Sequence, residues 1–281
     1  MSTKVGVGCI VLGGAVLLGT WGCAADMEAE GEGSTSESPL ALGEDHAAGS
    51  QIRLHEGRAE SLDADEDPAI LATVPGHDVA SHQGNVNWAT VAANGAKFVY
   101  IKATEGTTYT NPYFTQQYNG SYNAGLIRGA YHFALPSSST GTAQANYFVD
   151  HGGGWSADGK TLPPAVDLEY NPYSGGSCYG LSASAMAKWI RDFSNRVKTR
   201  TGRNPTFYTS RAWWNLCTGS NTGFSANPLW VANWSSTVGT LPAGWTTHTI
   251  WQWDDSGTFP GDQNRFNGTL DQLKAFAKNA P

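Results

Sequence analysis

Cysteine and methionine are scarce in this chain, at four and three of 281 residues, and charged residues make up only 15%. The short patterns that announce several common chemistries are also missing. No CxxC or HExxH spacing accompanies the cysteines and histidines, so neither a structural nor a catalytic zinc site is expected. No GxGxxG follows the first expected strand, which removes the main support for nucleotide binding. A G-x-S-x-G elbow is absent too, and with it the support for a serine nucleophile. The one long apolar run, Val5 to Leu18, is too short and too rich in glycine for a convincing spanning helix. With Lys4 before it and small residues around Gly22-Cys23-Ala24-Ala25 after it, the run reads as a signal peptide over residues 1–25. Gly22-Cys23 also permits a lipobox, in which Cys23 would be lipidated and would tether the chain to a membrane. Thr20 and Trp21 fit that reading poorly, and soluble secretion is preferred.

Two of the four cysteines, Cys9 and Cys23, lie in this leader. The remaining pair, Cys178 and Cys217, is expected to form a disulfide in an exported protein. Charge is divided unevenly. Residues 26–71 carry 13 acids against two bases, Arg53 and Arg58, whereas from Ala72 onward there are 14 Lys and Arg against 11 Asp and Glu. The acidic stretch has almost no aromatics and cannot bury enough apolar surface to fold alone. It is expected to be a disordered linker, a spacer or a propeptide. Residues 72–281 form the working domain, mildly basic and so suited to an anionic polymer such as a cell wall. No nucleic-acid partner and no cofactor are expected, and a monomer is.

From Val74 the chain alternates strands with helices. Strands are expected at Val74–Ala80, Lys97–Ala103, Gly129–Ala134, Pro163–Glu169, Thr206–Thr209, Leu229–Ala232 and Thr249–Trp253. Between them the pattern gives helices over Trp88–Ala93, Asn111–Ala124 and Gln144–Val149. The longest helix is capped by Ser182 and ended by Gly202, with Met186, Trp189, Ile190, Phe193 and Val197 at 3–4 spacing. A last helix covers Leu270–Lys278. This order argues an α/β domain with a parallel sheet, most simply an irregular, closed or partly closed (β/α) barrel. A doubly wound sheet is the alternative.

In such barrels functional groups sit at the C-terminal ends of strands. Those ends supply Asp78, Lys102 with Glu105, Tyr131 with His132, Asp167 with Glu169, Tyr208, Trp234, Gln252 and Asp262, with Asp254 and Asp255 nearby. In Pro163-Pro164-Ala165-Val166-Asp167-Leu168-Glu169 the two acids alternate and project to one face, about 6.6 Å apart along the strand. Two acids that close cannot both ionise freely, so one carboxyl pKa rises. A raised carboxyl beside an ionised one is an arrangement that cleaves glycosidic bonds. Of the ten tryptophans after residue 72 most are expected in the core, with two or three lining a cleft where they can stack on sugar rings.

Several stretches resemble, in order, the signatures of glycoside hydrolase family 25, the Chalaropsis-type lysozymes. They are His77-Asp78-Val79-Ala80-Ser81-His82-Gln83-Gly84, Ile101-Lys102-Ala103-Thr104-Glu105-Gly106, Gly129-Ala130-Tyr131-His132-Phe133 and Ala165-Val166-Asp167-Leu168-Glu169. Trp251-Gln252-Trp253 and Gly261-Asp262-Gln263-Asn264-Arg265-Phe266 resemble the closing signatures. The likeness spans the chain from Val74 onward, and the Cys178–Cys217 region is most similar to the secreted actinobacterial members. The resemblance implies an N-acetylmuramidase acting on bacterial peptidoglycan and a barrel with fewer than the full set of helices. Matched position by position, Glu169 is the general acid, Asp167 the acid before it, Asp78 the acid at the first strand end and Asp262 a fourth acid. Trp253 stands where Tyr is commoner, and Asp254-Asp255 compete with Asp262 for the fourth place.

The expected mechanism has Glu169 protonated at rest, its pKa raised by ionised Asp167 and by burial. Asp167 would orient the substrate's acetamido group, or an aspartate would attack directly. Tyr131, His132, Lys102, Glu105, Tyr208, Trp234 and Gln252 are the expected substrate contacts. His132, beside Tyr131 and Phe133, also fits a core histidine, and Lys102 with Glu105 also fits a structural pair. A wall-binding module without catalysis and a chitinase are the competing functions. A chitinase strand would carry another acid where Ala165 stands.

Overall fold

The computed structural model describes residues 46–58 and 72–279. The expected signal peptide, Cys23 and most of the acidic stretch lie outside them. In chain order the elements are α1 (Ser50–Glu56), β1 (Thr73–Val79), a 3-10 turn (Ser81–Gln83), α2 (Trp88–Ala93), β2 (Phe98–Glu105), β3 (Tyr109–Thr110) and α3 (Phe114–Asn123). There follow β4 (Ile127–Phe133), α4 (Gly141–Asp150), β5 (Ala165–Asp167), α5 (Ala183–Thr201), β6 (Thr206–Ser210), α6 (Arg211–Thr218), β7 (Leu229–Ala232), β8 (Ile250–Asp254), β9 (Asp262–Asn267) and α7 (Leu270–Lys278).

Eight of the strands close into a barrel in the order β1-β9-β8-β7-β6-β5-β4-β2, with β1 pairing back to β2 and β3 forming a short hairpin on β2. Within the barrel all neighbours run parallel except β9, which is antiparallel to both β8 and β1, and the added β3 is antiparallel to β2. This is the irregular barrel the strand–helix alternation implies, and the doubly wound alternative falls because the sheet has closed. No helix intervenes between β7 and β8.

Besides the two-residue β3, three elements escape the sequence pattern. β9 consists of Asp-Gln-Asn-Arg-Phe-Asn, with no apolar alternation, yet its first three residues are buried. Its pairing partners, not its own composition, make it a strand. α6 opens directly from the end of β6, capped by Ser210 Oγ on Trp213 N, and the aromatic pair Trp213-Trp214 disguises its helical period. α1 lies in the stretch expected to be disordered. That expectation concerned folding alone, and residues 46–58 instead order against the barrel mouth.

α5 follows its pattern closely. Ser182 Oγ accepts from Ala185 N, Gly202 ends the helix at φ 79°, and Met186, Trp189, Ile190, Phe193 and Val197 are buried. This face packs on α4 and the outer wall of the barrel. Inside the barrel, Tyr100 stacks on Trp230 at 4.8 Å and donates its hydroxyl to Pro163 O. That aromatic floor closes the barrel beneath the mouth. Cys178 and Cys217 form the expected disulfide, Cα atoms 5.3 Å apart, joining the β5–α5 loop to α6.

Candidate active site

Strand register assembles the mouth. Asp78 and Asp262 are direct partners across the β1–β9 ladder, and Gln252 faces Asn264 across β8–β9. Directly opposed side chains share a face, so four polar groups from three strands meet inside the barrel. Gly261 permits the approach: it has φ 77°, and a Cβ there would lie 1.9 Å from Asp78 O. Gln252 Nε2 and Asn264 Nδ2 both donate to Asp78 Oδ2, at 3.0 and 2.7 Å, and Tyr208 Oη donates to Gln252 Oε1 at 2.7 Å. Asn264 was not singled out beforehand, although it lies in the Gly261–Phe266 stretch. Its role depends on register, which one sequence does not reveal.

Across the mouth, β5 presents Asp167, and Glu169 follows just beyond the strand end. The alternation persists past the strand because Leu168 N still donates to Tyr208 O at 2.9 Å. Asp78, Asp167 and Glu169 are each at most 2% exposed, and Asp262 is 9% exposed. Burial, and then the charge of Asp262, push the Asp78 carboxyl well above its ordinary range, partly offset by Gln252 and Asn264. Burial likewise lifts Asp262 to about 7, against the opposing effect of Arg53. Asp254 and Asp255 lie at the rim, where Arg58 pairs with both. Asp262 is therefore the acid that joins the buried set: its charge acts on Asp78, and the charge of Glu169 acts on it.

The Asp167–Glu169 pair reverses one expectation. Burial and then the Glu169 charge push Asp167 well above its ordinary range, and neither Asp167 oxygen meets a donor among the described residues except a protonated Glu169. Burial raises Glu169 to about 7, while the backbone N–H groups of Ile52, Gly49 and Gln51 and the Asp167 carboxyl hold it down. With residues 49–52 in place, N–H donors thus favour the ionised form of Glu169, and none among the described residues favours that of Asp167. The cause is α1, whose first N–H groups donate to Glu169: Gly49 N to Oε1 at 3.0 Å, and Gln51 N and Ile52 N to Oε2, each at 2.8 Å.

The remaining expected contacts divide into two groups. Tyr131, Tyr208, Trp234 and Gln252 surround the mouth: Ala48 N donates to Tyr131 Oη at 3.2 Å, and Gly49 sits against Trp234, Tyr208 and Gln252. Lys102 and Glu105 are ion-paired at 2.6 Å, fully buried, and both also meet His46. Burial raises Glu105, but hydrogen bonds and charge from His46 and Lys102 hold it below its ordinary value.

His132 is not in the mouth. Strand alternation turns it to the outer wall, where Nδ1 meets Thr104 Oγ1 at 2.7 Å and Nε2 meets Gln144 Oε1 at 3.0 Å, with Phe148 and Phe193 against the ring. Burial lowers it to about 4, so it is a neutral core histidine rather than a substrate contact. Two residues missed beforehand, Tyr170 and Tyr173, line the same mouth: Tyr173 Oη donates to Glu105 Oε1 at 3.2 Å, and Tyr170 stacks on His55. They lie in a loop, where no periodicity marks which side chains turn inward.

A buried cluster of four acids ringed by aromatics at the C-terminal mouth of an (β/α) barrel suits acid-assisted cleavage of a glycosidic bond. The model of glycosyl hydrolases family 25 matches residues 77–262. The chain belongs to glycosyl hydrolases family 25. Lysozyme M1 of Streptomyces globisporus is 50% identical over 75% of this chain and 74% of its own. The N,O-diacetylmuramidase of Chalaropsis sp is 51% identical over 73% of this chain and 99% of its own. Among solved structures, the muramidase from Trichobolus zukalii superposes with a TM-score of 0.72 at 54% identity, covering 74% of this chain and all of that one. The bacterial lysozyme from Streptomyces coelicolor gives 0.72 at 49% identity, over 75% and all of the two chains. The family 25 assignment makes this chain a glycoside hydrolase, and its barrel matches theirs.

Proposed function

We propose that this family 25 hydrolase is an N-acetylmuramidase, cleaving the β-1,4 bond from N-acetylmuramic acid to N-acetylglucosamine in bacterial peptidoglycan. The observation that carries the reading is the set Asp78, Asp167, Glu169 and Asp262, four carboxyl groups buried within electrostatic reach of one another. Relatives named as muramidases at about half identity support the choice of bond.

In this reading Glu169 is the general acid. Burial raises its carboxyl to about 7, and where substrate replaces the N–H groups of residues 49–52 the proton is held for donation to the leaving glycosidic oxygen. Asp167, adjacent and without another donor, orients and stabilises the substrate's acetamido group as its carbonyl oxygen attacks the anomeric carbon. Asp78, held by Gln252 and Asn264, sets the charge of Asp167, and Asp262 completes the acidic wall. Tyr131, Tyr208 and Trp234 supply surfaces for sugar rings, and Lys102 with Glu105 forms a buried ion pair in the wall of the cleft. The competing chemistry, an aspartate as direct nucleophile, uses the same residues. The enzyme acts as a soluble, exported monomer; export is supported by the Cys178–Cys217 disulfide, which belongs to oxidising compartments. Lipidation at Cys23 is the alternative form.

The test is mass spectrometry of borohydride-reduced fragments from purified peptidoglycan treated with residues 72–281. That portion holds every strand of the closed barrel and all the described helices except α1. New reduced muramic-acid ends, absent with Glu169→Gln, are expected. Reduced glucosamine ends would overturn the bond assignment, and a fully active Glu169→Gln would overturn the role of Glu169.

A further inference from the structure

Residues 46–58 occupy the place a sugar chain would need. Gly49 reaches the centre of the mouth at φ 89°, and a Cβ there would come within 3 Å of Trp234, Tyr208 and Gln252. Ala48 is fully buried and Ile52 is 1% exposed. Both carboxylate oxygens of Glu169 are taken by backbone N–H groups of this segment. A general acid must hold a proton and aim it at the leaving oxygen. With three N–H donors on it Glu169 is an acceptor, and the glycosidic oxygen has no room to approach.

Charge makes the docking specific. Residues 26–71 contain only two bases, and both land on the acidic mouth. Arg53 bonds Asp255 at 3.0 Å and Asp262 at 3.3 Å, and Arg58 bonds Asp254 at 2.6 Å. At the other end His46 meets Glu105 through both its backbone N and its ring, while Lys102 donates to His46 O at 2.6 Å. His55 stacks on Tyr170 with ring centres 4.2 Å apart. The paired acids Asp254-Asp255, superfluous to the chemistry, thereby acquire a partner.

We propose that residues 46–58 are an inhibitory segment seated in the substrate cleft, so that the chain is latent while it is docked and gains activity when it leaves. The proposal rests on the muramidase reading of the same cleft. Joined to β1 through residues 59–71, the segment is an intramolecular ligand, and such tethers give effective concentrations on the order of millimolar. Weak contacts then suffice to fill the cleft. The apparent substrate affinity falls in proportion to the open fraction.

The test compares the full chain with Gly49→Val and with Arg53→Glu, both changes lying in the segment and outside the barrel. Valine at Gly49 adds a β-branched side chain at positive φ where the neighbours leave no space, and glutamate at Arg53 faces Asp255 and Asp262. Release of reduced muramic-acid ends is expected to rise about tenfold or more in each variant, as for a ligand released from a mostly closed state. In parallel, hydrogen exchange followed by mass spectrometry reads docking without reference to catalysis. The amides of Gly49, Gln51 and Ile52 should be protected in the full chain and exchange freely in Gly49→Val. Equal activity of the three forms, or rapid exchange over 46–58 in the full chain, would overturn the proposal. If none of the three releases ends from peptidoglycan, the muramidase reading fails, and protection over 46–58 that Gly49→Val abolishes still upholds docking.

Discussion

The mouth of the barrel and its outer wall use neighbouring residues of the same strands for opposite ends. On β1, Asp78 turns into the mouth and His77 outward; on β4, Tyr131 turns inward and His132 outward. Burial acts on both sides, but on groups of opposite sign. It pushes Asp78 and Asp167 up and lifts Glu169 and Asp262 to about 7, while it lowers His77 and His132 to about 4. On the wall His132 is satisfied at both ring nitrogens by Thr104 and Gln144, and His77 donates from Nδ1 to Pro260 O while its buried Nε2 meets no partner among the described residues. The mouth leaves Asp167 without a donor other than a like group. Stability is invested in the wall, and reactivity is kept in the mouth, where buried acids repel one another.

The largest separation of the two regions should come from activity. Asp167→Asn is expected to lower the release of muramic-acid ends from peptidoglycan by about 10²–10⁴-fold, the usual range for acid–base groups. It should at the same time raise the melting temperature at pH 8, because the amide stays neutral beside Glu169 without taking up a proton and still offers it a donor. Loss of stability together with activity would break the comparison. Phe193→Ala is the counterpart in the wall. Phe193 is fully buried between His132 and Trp189, and its truncation is expected to destabilise by about 3–5 kcal/mol in urea titrations while leaving the pH–rate profile in place.

The smallest effect is the pH dependence of stability, to which the two regions contribute with opposite sign. The mouth acids bind protons more tightly folded than unfolded, so they destabilise progressively as pH rises from about 4.5 through 7. The wall histidines bind protons less tightly folded, so they destabilise as pH falls from about 6.5 through 4. Melting temperature against pH should therefore form a dome centred at about pH 5–6, and Asp167→Asn should lift its alkaline side. A profile still rising through pH 8 would show that the acids do not carry the burden assigned to them.

The outlines of both regions were legible in the sequence for particular reasons. β2, β4 and β5 are runs of apolar residues flanked by glycine or proline, and α5 carries its cap, its stripe and its terminating glycine, all local signals. Asp78, Asp167, Glu169 and Asp262 stood out because they fall at strand ends or within motifs, and the family 25 resemblance ordered them. His132 was placed in the cleft because the reading followed proximity to a strand end; the side on which a residue emerges depends on the phase of alternation. Asn264 and Tyr173 gave no local signal at all.

By itself the sequence determined the alternating strands and helices and the acids available for chemistry, which are written in neighbouring residues, and the pairing of Cys178 with Cys217, the two cysteines that lie outside the leader. Only the tertiary structure decided that β9 is a strand, since its polar residues pair with β1 and β8 and find no reason to extend alone. Only the tertiary structure decided the fate of residues 46–58. An acidic, aromatic-poor segment has too little apolar surface to fold unaided. The barrel mouth supplies what it lacks: carboxylates for Arg53 and Arg58, a buried acceptor for three N–H groups, and a pocket for Ile52.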